Sequence, residues 1–281
     1  MGLLGETKPV KKPILGVSLY PEQESMEEIE NYLTMASRYG FTKIFTSMFS
    51  VSGTKEEVFD YFKNFCDLAH KHGMKVSGDC NTAFFKKMGA SESDISIFKE
   101  MGIDIIRMDL PYFDQRDVTL INNPYNITIE LSSCMIQAVR MALENGANPK
   151  NFSTCHNFYP ERYTASDLES IRSINKELAT LGIPSAVFIS SNEDNTHGPW
   201  PVHDGLPTVE DHRWIPAELQ VRHWIAVGDV DEIIFGNAFA SEEEFKAIDQ
   251  VMNQAYVNIP KLVGQDYLAA VSYTHLTLPT N

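Results

Sequence analysis

The chain has 281 residues, of which 43% are hydrophobic and 22% charged, which is typical of a globular protein with a large core. Its formal net charge of −15 argues against nonspecific binding to nucleic acid or anionic membranes, and we expect neither as a partner. It has no run of about 18 apolar residues that would predict a membrane span, and the N-terminal MGLLGETKPVKK lacks the apolar core of a signal peptide.

Short apolar runs alternate with amphipathic runs along the first half of the chain. The strand-like runs are ILGVSLYP from Ile14, TKIFTSMF from Thr42, MKVSGDC and IDIIRMDLP. Capping boxes predict the first two helix starts, and glycines predict where the first three helices end. The boxes are Ser25 with Glu28 and Thr54 with Glu57, and the glycines are Gly40, Gly73 and Gly102. After the fourth run we expect a looser connection through Asn123.

The second half continues the same alternation. Its strand-like runs are YNITIELS, FSTCHN, IPSAVFISS and DEIIFGNA. The predicted helices are Met135–Glu144, a segment from near Ser166 to Gly182, Ala217–Val227 and a last helix capped by Ser241 and Glu244. Eight β-then-α units in roughly 240 residues predict an α/β protein with a (β/α)₈ TIM barrel. The alternative is an open, doubly wound sheet, but no GxGxxG follows the first strand, which disfavours its dinucleotide-binding version.

Polar residues cluster at the C-terminal ends of the predicted strands, where TIM barrels carry their functional groups. Asp109 and Glu130 follow neighbouring strands, which lie about 4.8 Å apart, so we expect the two carboxylates to lie close together with Asp79 beside them. Confined carboxylates separate each other's pKa values into an acid and a base, as glycoside cleavage requires. The alternatives are that Arg107 and Asp109 form a structural ion pair and that Asp79 shapes a loop.

The remaining strand-end residues are candidate substrate-binding groups, and His156 and Asn157 are expected to face the barrel mouth. Beyond the seventh strand, the long polar loop SSNEDNTHGPWPVHDGL is of the kind that covers a site. Its Trp200, with two tyrosines, is expected to stack on a sugar ring or, alternatively, to pack the loop. The candidates are Tyr20, Glu22, Arg107, His156, Asn157, Tyr159, Ser190, Ser191, Trp200 and Asn237.

A phosphate would be bound by backbone and hydroxyl groups near Ser190, Ser191 and Asn237, with Arg107 or Arg162 supplying charge. The acids that open the last helix, Glu242 to Glu244, repel a phosphate at that helix terminus. The histidines show no HExxH spacing, and we predict neither a metal nor a cofactor. The four cysteines lack CxxC or zinc-ligand spacing and are interpreted as reduced thiols of a cytoplasmic protein; they are Cys66, Cys80, Cys134 and Cys155.

Taken in order, several motifs resemble a bacterial family once catalogued as conserved outer surface proteins, whose activity is 6-phospho-N-acetylmuramidase. They are LGVSLYPE, GFTKIFTSMFSV, IRMDL, NNPYNITIEL, CHNFYPERYT, the GPWP and DGL segments, and IIFGNAFASEEE. The resemblance implies a cytoplasmic glycosidase of peptidoglycan recycling. It would cleave a phosphorylated amino-sugar disaccharide, N-acetylmuramic acid 6-phosphate–N-acetylglucosamine. The substrate's 2-acetamido group permits substrate-assisted hydrolysis.

The resemblance also implies a cyclophilin-like C-terminal domain, which we expect to be missing from this chain. We therefore divide the chain into an N-terminal extension (1–12), a barrel glycosidase domain (13–258), the start of a truncated C-terminal region (259–270) and a tail (271–281). The tail, VSYTHLTLPTN, continues no pattern and looks like translated sequencing adaptor, so we expect it to be non-native. The sequence gives no prediction of oligomeric state.

Two other functions stay open from the residues. One is a sugar-phosphate lyase or isomerase on the same barrel, and the other is a non-catalytic sugar-phosphate binding protein. An aldolase of the first kind needs a Schiff-base lysine at a strand end, whereas Lys43 and Lys75 lie at predicted strand starts, which argues against it.

Overall fold

The computed structural model describes residues 12–21, 23–48, 51–200 and 204–253. Within them, eight parallel strands close into a barrel in the order β1 to β8, which confirms the predicted (β/α)₈ TIM barrel. The strands are β1 Ile14–Leu19, β2 Phe41–Ser47, β3 Lys75–Cys80, β4 Ile105–Met108, β5 Thr128–Ser132, β6 Phe152–Cys155, β7 Ser185–Ile189 and β8 Glu232–Phe235. The predictions for residues 1–11 and 254–281 lie outside the described residues.

Nine α-helices surround the barrel in the described ranges. They are α1 Met26–Arg38, α2 Lys55–Lys71, α3 Thr82–Met88, α4 Ser96–Met101, α5 Gln115–Ile121, α6 Ile136–Glu144, α7 Leu168–Leu181, α8 Ala217–Val227 and α9 Glu242–Asn253. The loose connection expected after β4 is wrong, because α5 occupies it and Asp114 caps its first turn. No helix in the described part of the chain has the length and apolar character needed to cross a membrane.

The local signals that predict helix ends are confirmed. At α1 and α2, the Ser25–Glu28 and Thr54–Glu57 pairs form complete capping boxes, in which each side chain bonds the other residue's backbone N–H. Gly102 ends α4 in the left-handed conformation, with φ of 91°, which a residue with a Cβ adopts at a cost. These caps fix where each helix returns the chain to the bottom of the barrel.

Apolar side chains fill the space between the strands and the helices. Phe41, Phe235 and Phe245 form one such cluster between β2, β8 and α9, with the Phe41 and Phe245 ring centroids 4.6 Å apart in an edge-to-face arrangement. All three side chains are buried. The burial of these side chains holds the helices against the outside of the barrel. Strand residues on the opposite face point into the barrel interior.

A β-bulge in β2 sends a lysine into the barrel. Leu15 of β1 pairs with Phe41 and Gly16 pairs with Lys43, so Thr42 is an extra residue. Phe41 therefore packs on α9, while Lys43 faces the interior and is only 3% exposed. A Cβ on Gly16 would stand 3.2 Å from the Lys43 carbonyl oxygen, so the glycine gives this bulge room. The bulge thus places a cation in the barrel interior.

Candidate active site

The centre of the site is a buried arginine on β4. Arg107 is 5% exposed and donates from Nη1 to Asp79 Oδ1 at 2.7 Å and from Nη2 to Asn157 Oδ1 at 2.5 Å. Asp79 is its register partner on β3, and Ser132 at the end of β5 also donates to Asn157 Oδ1, at 3.2 Å. The structure therefore brings three predicted site residues, Asp79, Arg107 and Asn157, together at the C-terminal mouth.

Asp79 is a buried carboxyl group held by the Arg107 guanidinium. Burial raises its pKa above the ordinary value of 3.8, the Arg107 guanidinium lowers it, and the negative charges of Asp109 and Glu130 raise it further, so that the net shift is upward. Arg107 donates to Oδ1 of this carboxyl group. Asp109 lies just beyond β4, exposed to solvent, and its backbone N–H donates to the Cys80 carbonyl at 2.9 Å. Two carboxyl groups in contrasting surroundings thus stand at one edge of the mouth.

Glu130 lies one layer deeper in the barrel than Asp109. Its register partner is Arg107, so Asp109 stands two residues further toward the mouth, and the expected pairing of Asp109 with Glu130 is not what the structure shows. Glu130 is fully buried and accepts from Lys43 Nζ at 2.8 Å, while Lys43 also donates to Glu232 Oε2 at 2.5 Å. Burial alone would lower the pKa of Lys43, but the charges of Glu130 and Glu232 raise it overall.

His156 does not face the mouth, contrary to the expectation from sequence. The side chain of Asn157 points inward to Arg107, and successive residues of an extended segment face opposite sides, so His156 points outward toward the helices. Its imidazole is 2% exposed, and Nε2 lies 2.8 Å from Asn175 Oδ1 on α7. Burial lowers the pKa of His156 to about 4. This position gives it a packing role between β6 and α7.

Aromatic rings form one wall of the mouth, which we call the aromatic wall: Phe45, Phe158, Phe188 and Trp200. Phe158 packs edge-to-face on Phe188 and Phe45, with centroid distances of 4.9 and 6.0 Å, and lies 6.2 Å from Trp200. The guanidinium of Arg107 stands 6.0 Å from the centroid of Phe45. Trp200 is 48% exposed, so the wall runs from the barrel interior to the surface.

The predicted tyrosines are placed differently from Trp200. Tyr20 is 1% exposed, and its hydroxyl donates a short hydrogen bond to the Gly236 carbonyl, so it closes the mouth from below rather than offering a ring face. Burial raises its pKa. Tyr159 is half-buried, and its carbonyl accepts from Arg213 Nη1 at 3.1 Å. Glu22 lies outside the described residues.

Ser190, Ser191 and Asn237 form a network that joins the loops after β7 and β8. Asn237 accepts from the Ser191 backbone N–H at 2.8 Å and donates to the Ser191 carbonyl at 3.0 Å. Ser190 Oγ accepts from the Leu206 N–H at 3.0 Å, and Ser191 Oγ donates to Glu244 at 2.6 Å. The three predicted residues are therefore brought together, on the side of the barrel opposite Asp79 and Arg107.

Several site residues escape prediction from sequence. Because of the bulge at Thr42, the alternation along β2 does not predict that Lys43 faces the interior. In the sequence, Phe45, Phe158 and Phe188 are indistinguishable from ordinary core residues. In the loops, Glu24 forms a short contact with His197 Nε2, and Gln23 donates to the Gly198 carbonyl at 2.7 Å. These bonds tie the loop after β1 to the long loop after β7, which fixes that side of the mouth.

A closed barrel with carboxyl groups and an aromatic wall at its C-terminal mouth is compatible with a TIM-barrel glycoside hydrolase. A family model described as 6-phospho-N-acetylmuramidase, N-terminal, matches residues 15–250. The chain therefore belongs to this family, as the resemblance of its motifs implied. No curated protein matches the chain.

Two solved structures of bacterial proteins are similar to the chain over 85% of its length. An uncharacterized protein of B. cereus is 36% identical, with a TM-score of 0.75, and a conserved Enterococcus faecalis protein of unknown function is 22% identical, with a TM-score of 0.74. The chain covers 65% and 66% of those two proteins, somewhat less than two thirds of their length. A GH138 enzyme targeting pectin rhamnogalacturonan II is 12% identical, with a TM-score of 0.52, over 94% of this chain and 41% of its own, which shows a shared fold.

Proposed function

We propose that the protein hydrolyses the glycosidic bond of N-acetylmuramic acid 6-phosphate–N-acetylglucosamine in peptidoglycan recycling. The observation that carries the proposal is the pair of carboxyl groups at the mouth, the buried Asp79 with its raised pKa and the exposed Asp109. The family match supports the substrate class, since its description names a muramidase acting on a 6-phosphorylated sugar.

In this proposal Asp79 protonates the leaving oxygen of N-acetylglucosamine as the bond to the muramyl C1 breaks. Water supplies the hydroxyl that ends on C1, and its second proton restores Asp79. Asp109 is the second carboxylate, which orients either that water or the 2-acetamido group of the muramyl residue, as substrate-assisted glycosidases do. Arg107 and Asn157 hold Asp79 in position, and the aromatic wall offers ring faces to the sugars.

The predicted catalytic role of Glu130 is replaced in this proposal by a structural one. Its carboxylate is fully buried, and its oxygens accept from Lys43 at 2.8 Å and from Ser77 at 3.3 Å. Both contacts hold the carboxylate inside the barrel, below the residues that face the substrate. The negative charge of Glu130 therefore balances the positive charge of Lys43, and it also contributes to the raised pKa of Asp79.

The lyase alternative gains nothing from the lysine that the structure reveals. Lys43 does lie inside the barrel, but two carboxylates bond its amine and raise its pKa. A Schiff-base nucleophile needs a neutral amine, which is the form that this ion pair disfavours. We also propose a cytoplasmic location, which the four free cysteines support.

Two substitutions at the mouth test the assignment. Asp79→Asn and Asp109→Asn are each expected to lower kcat for the phosphorylated disaccharide by about 100-fold or more, since acid–base groups contribute about 10²–10⁴-fold. Asp114→Asn is the control, because Asp114 is an exposed acid that caps α5 and bonds Arg116. Full activity in either mouth variant, with the fold intact, would contradict the assignment of that residue.

A further inference from the structure

A polar cavity opens at the mouth on the side away from Asp79. Its volume is about 230 Å³, which is the scale of one sugar ring, and the loops after β7 and β8 form it. In the eight-strand ring, β7 and β8 stand opposite β3 and β4, which carry Asp79 and Arg107. We call this cavity the β7–β8 pocket; it is lined by Ser191, Asn192, Glu193, Asp194, Thr196, Gly205, Trp214 and Asn237.

The floor of the β7–β8 pocket is rigid. Asn237 bonds the Ser191 backbone twice and donates from Nδ2 to Thr196 Oγ1 at 2.7 Å. Glu244 at the start of α9 accepts from Ser191 Oγ at 2.6 Å, and the Asn192 side chain donates to the Ile215 carbonyl at 2.9 Å. A preformed floor of this kind lowers the ordering cost of binding a small ligand.

Trp214 forms one side of the pocket and has an unusual backbone conformation. Its φ is 64°, a left-handed value that bulky residues rarely adopt, and its side chain is 50% exposed. Arg162 lies 4.4 Å from the centroid of the ring, and Arg162 Nε donates to Asp204 at 2.9 Å. The neighbouring Arg213 donates to both carboxylate oxygens of Glu210. With Arg162 on one face of the ring, the other face is left for a ligand.

The charge of the pocket selects its ligand. Glu193 and Asp194 line it and Glu244 lies behind Ser191, while none of the described lining residues is a lysine or an arginine. The cation beside the described lining is Arg162 on the Trp214 ring, and its charge is paired with Asp204. A neutral ligand therefore fits this lining better than the phosphate expected near Ser191 and Asn237. Carboxylate, amide and hydroxyl groups beside an aromatic ring suit the hydroxyls and the C–H face of a neutral sugar.

We propose that the β7–β8 pocket binds the neutral N-acetylglucosamine end of the disaccharide and stacks it on Trp214. The identity of the sugar rests on the proposed function, whereas the preference for a neutral sugar rests on the pocket itself. The phosphorylated muramyl end then lies across the mouth, on the side of Arg107. This orientation directs the bond to be cleaved toward Asp79 and Asp109.

Binding measurements on the intact chain test the pocket without needing turnover. Titration with N-acetylglucosamine is expected to change tryptophan fluorescence saturably, and Trp214→Phe is expected to abolish the change while keeping a ring in place. In calorimetry, Trp214→Ala is expected to raise the Kd about tenfold, which corresponds to about 1.4 kcal/mol. N-acetylglucosamine 6-phosphate is expected to bind about tenfold more weakly than the neutral sugar. Tyr163→Ala, at an 87% exposed aromatic outside the pocket, is the control.

The outcomes separate this proposal from the proposed function. Absence of saturable binding, unchanged affinity in Trp214→Ala, or equal affinity for the phosphorylated sugar would each overturn the pocket assignment. If the enzyme hydrolyses the disaccharide, Trp214→Ala is expected to raise KM about tenfold with kcat nearly constant. An unchanged KM would overturn the subsite while leaving the hydrolase intact. Binding at Trp214 without hydrolysis of the disaccharide would support the pocket assignment and contradict the proposed function.

Discussion

The buried charge cluster of Lys43, Glu130 and Glu232 gives the sharpest prediction about stability. Replacing Lys43 by Met keeps most of the buried stem but removes the charge that both carboxylates share. Glu130 then has no cation at 2.8 Å and keeps the contact from Ser77 Oγ at 3.3 Å. An uncompensated buried carboxylate is costly, and breaking one side of a buried pair typically costs about 3–5 kcal/mol.

We therefore expect Lys43→Met to lower the free energy of unfolding by about 3–5 kcal/mol at neutral pH. Adding Glu130→Gln to Lys43→Met removes the isolated charge, and the double variant should regain about 2 kcal/mol relative to the single one.

Urea denaturation followed by circular dichroism measures these differences. Lys71→Met is the matched control, because Lys71 pairs with Glu30 in an exposed position and its loss should leave the urea midpoint unchanged. A Lys43→Met variant within about 1 kcal/mol of the parent, or a double variant no more stable than the single one, would show that Lys43 does not stabilise the buried Glu130 carboxylate.

Three further predictions follow from the same contacts. Glu130→Gln should retain kcat within about threefold, while the alkaline limb of the pH–rate profile moves to lower pH, because removing this charge lowers the pKa of the proton donor Asp79. A loss of about 100-fold in a folded Glu130→Gln would instead support its catalytic role. Burial lowers the pKa of His156 from 6.5 to about 4. The contribution of the neutral imidazole to the free energy of unfolding is therefore fully present above pH 6.5 and is lost as the pH falls toward 4. Between pH 7 and pH 4.5 this loss amounts to about 2–3 kcal/mol, and urea titrations of His156→Gln should show a correspondingly smaller acid sensitivity. Phe158→Ala, which opens the aromatic wall, should raise KM for the disaccharide about tenfold, and an unchanged KM would contradict a role of the wall in binding.

The barrel was predictable because its signals are local. Capping boxes at Ser25 and Thr54 and the glycine after α4, Gly102, mark helix ends through bonds between residues a few positions apart. Such signals can be recognised in the sequence without knowledge of the tertiary structure. The helix α5 was missed, although Asp114 offered a cap and Asp117 accepts from the backbone N–H groups of Tyr112 and Phe113.

The site was less predictable because it depends on which way side chains point. Ser153 points into the barrel, where its Oγ contacts Glu130. Counting every second residue along the chain from Ser153 places Asn157 in the mouth and His156 outside it. No such count finds Lys43, since the bulge at Thr42 breaks the alternation of β2. The Glu130–Lys43 pair is a contact between strands three apart in the ring, which spacing along the chain does not encode.

Release of N-acetylglucosamine from the disaccharide is the direct test of the proposed hydrolysis. The protein is incubated with the 6-phosphorylated muramyl disaccharide and, separately, with its unphosphorylated form. Released N-acetylglucosamine is then quantified. We predict release from the phosphorylated disaccharide only, and loss of that release by about 100-fold in Asp79→Asn. No release from either disaccharide by a folded protein would contradict the proposed hydrolase function and favour the sugar-phosphate lyase or binding alternatives.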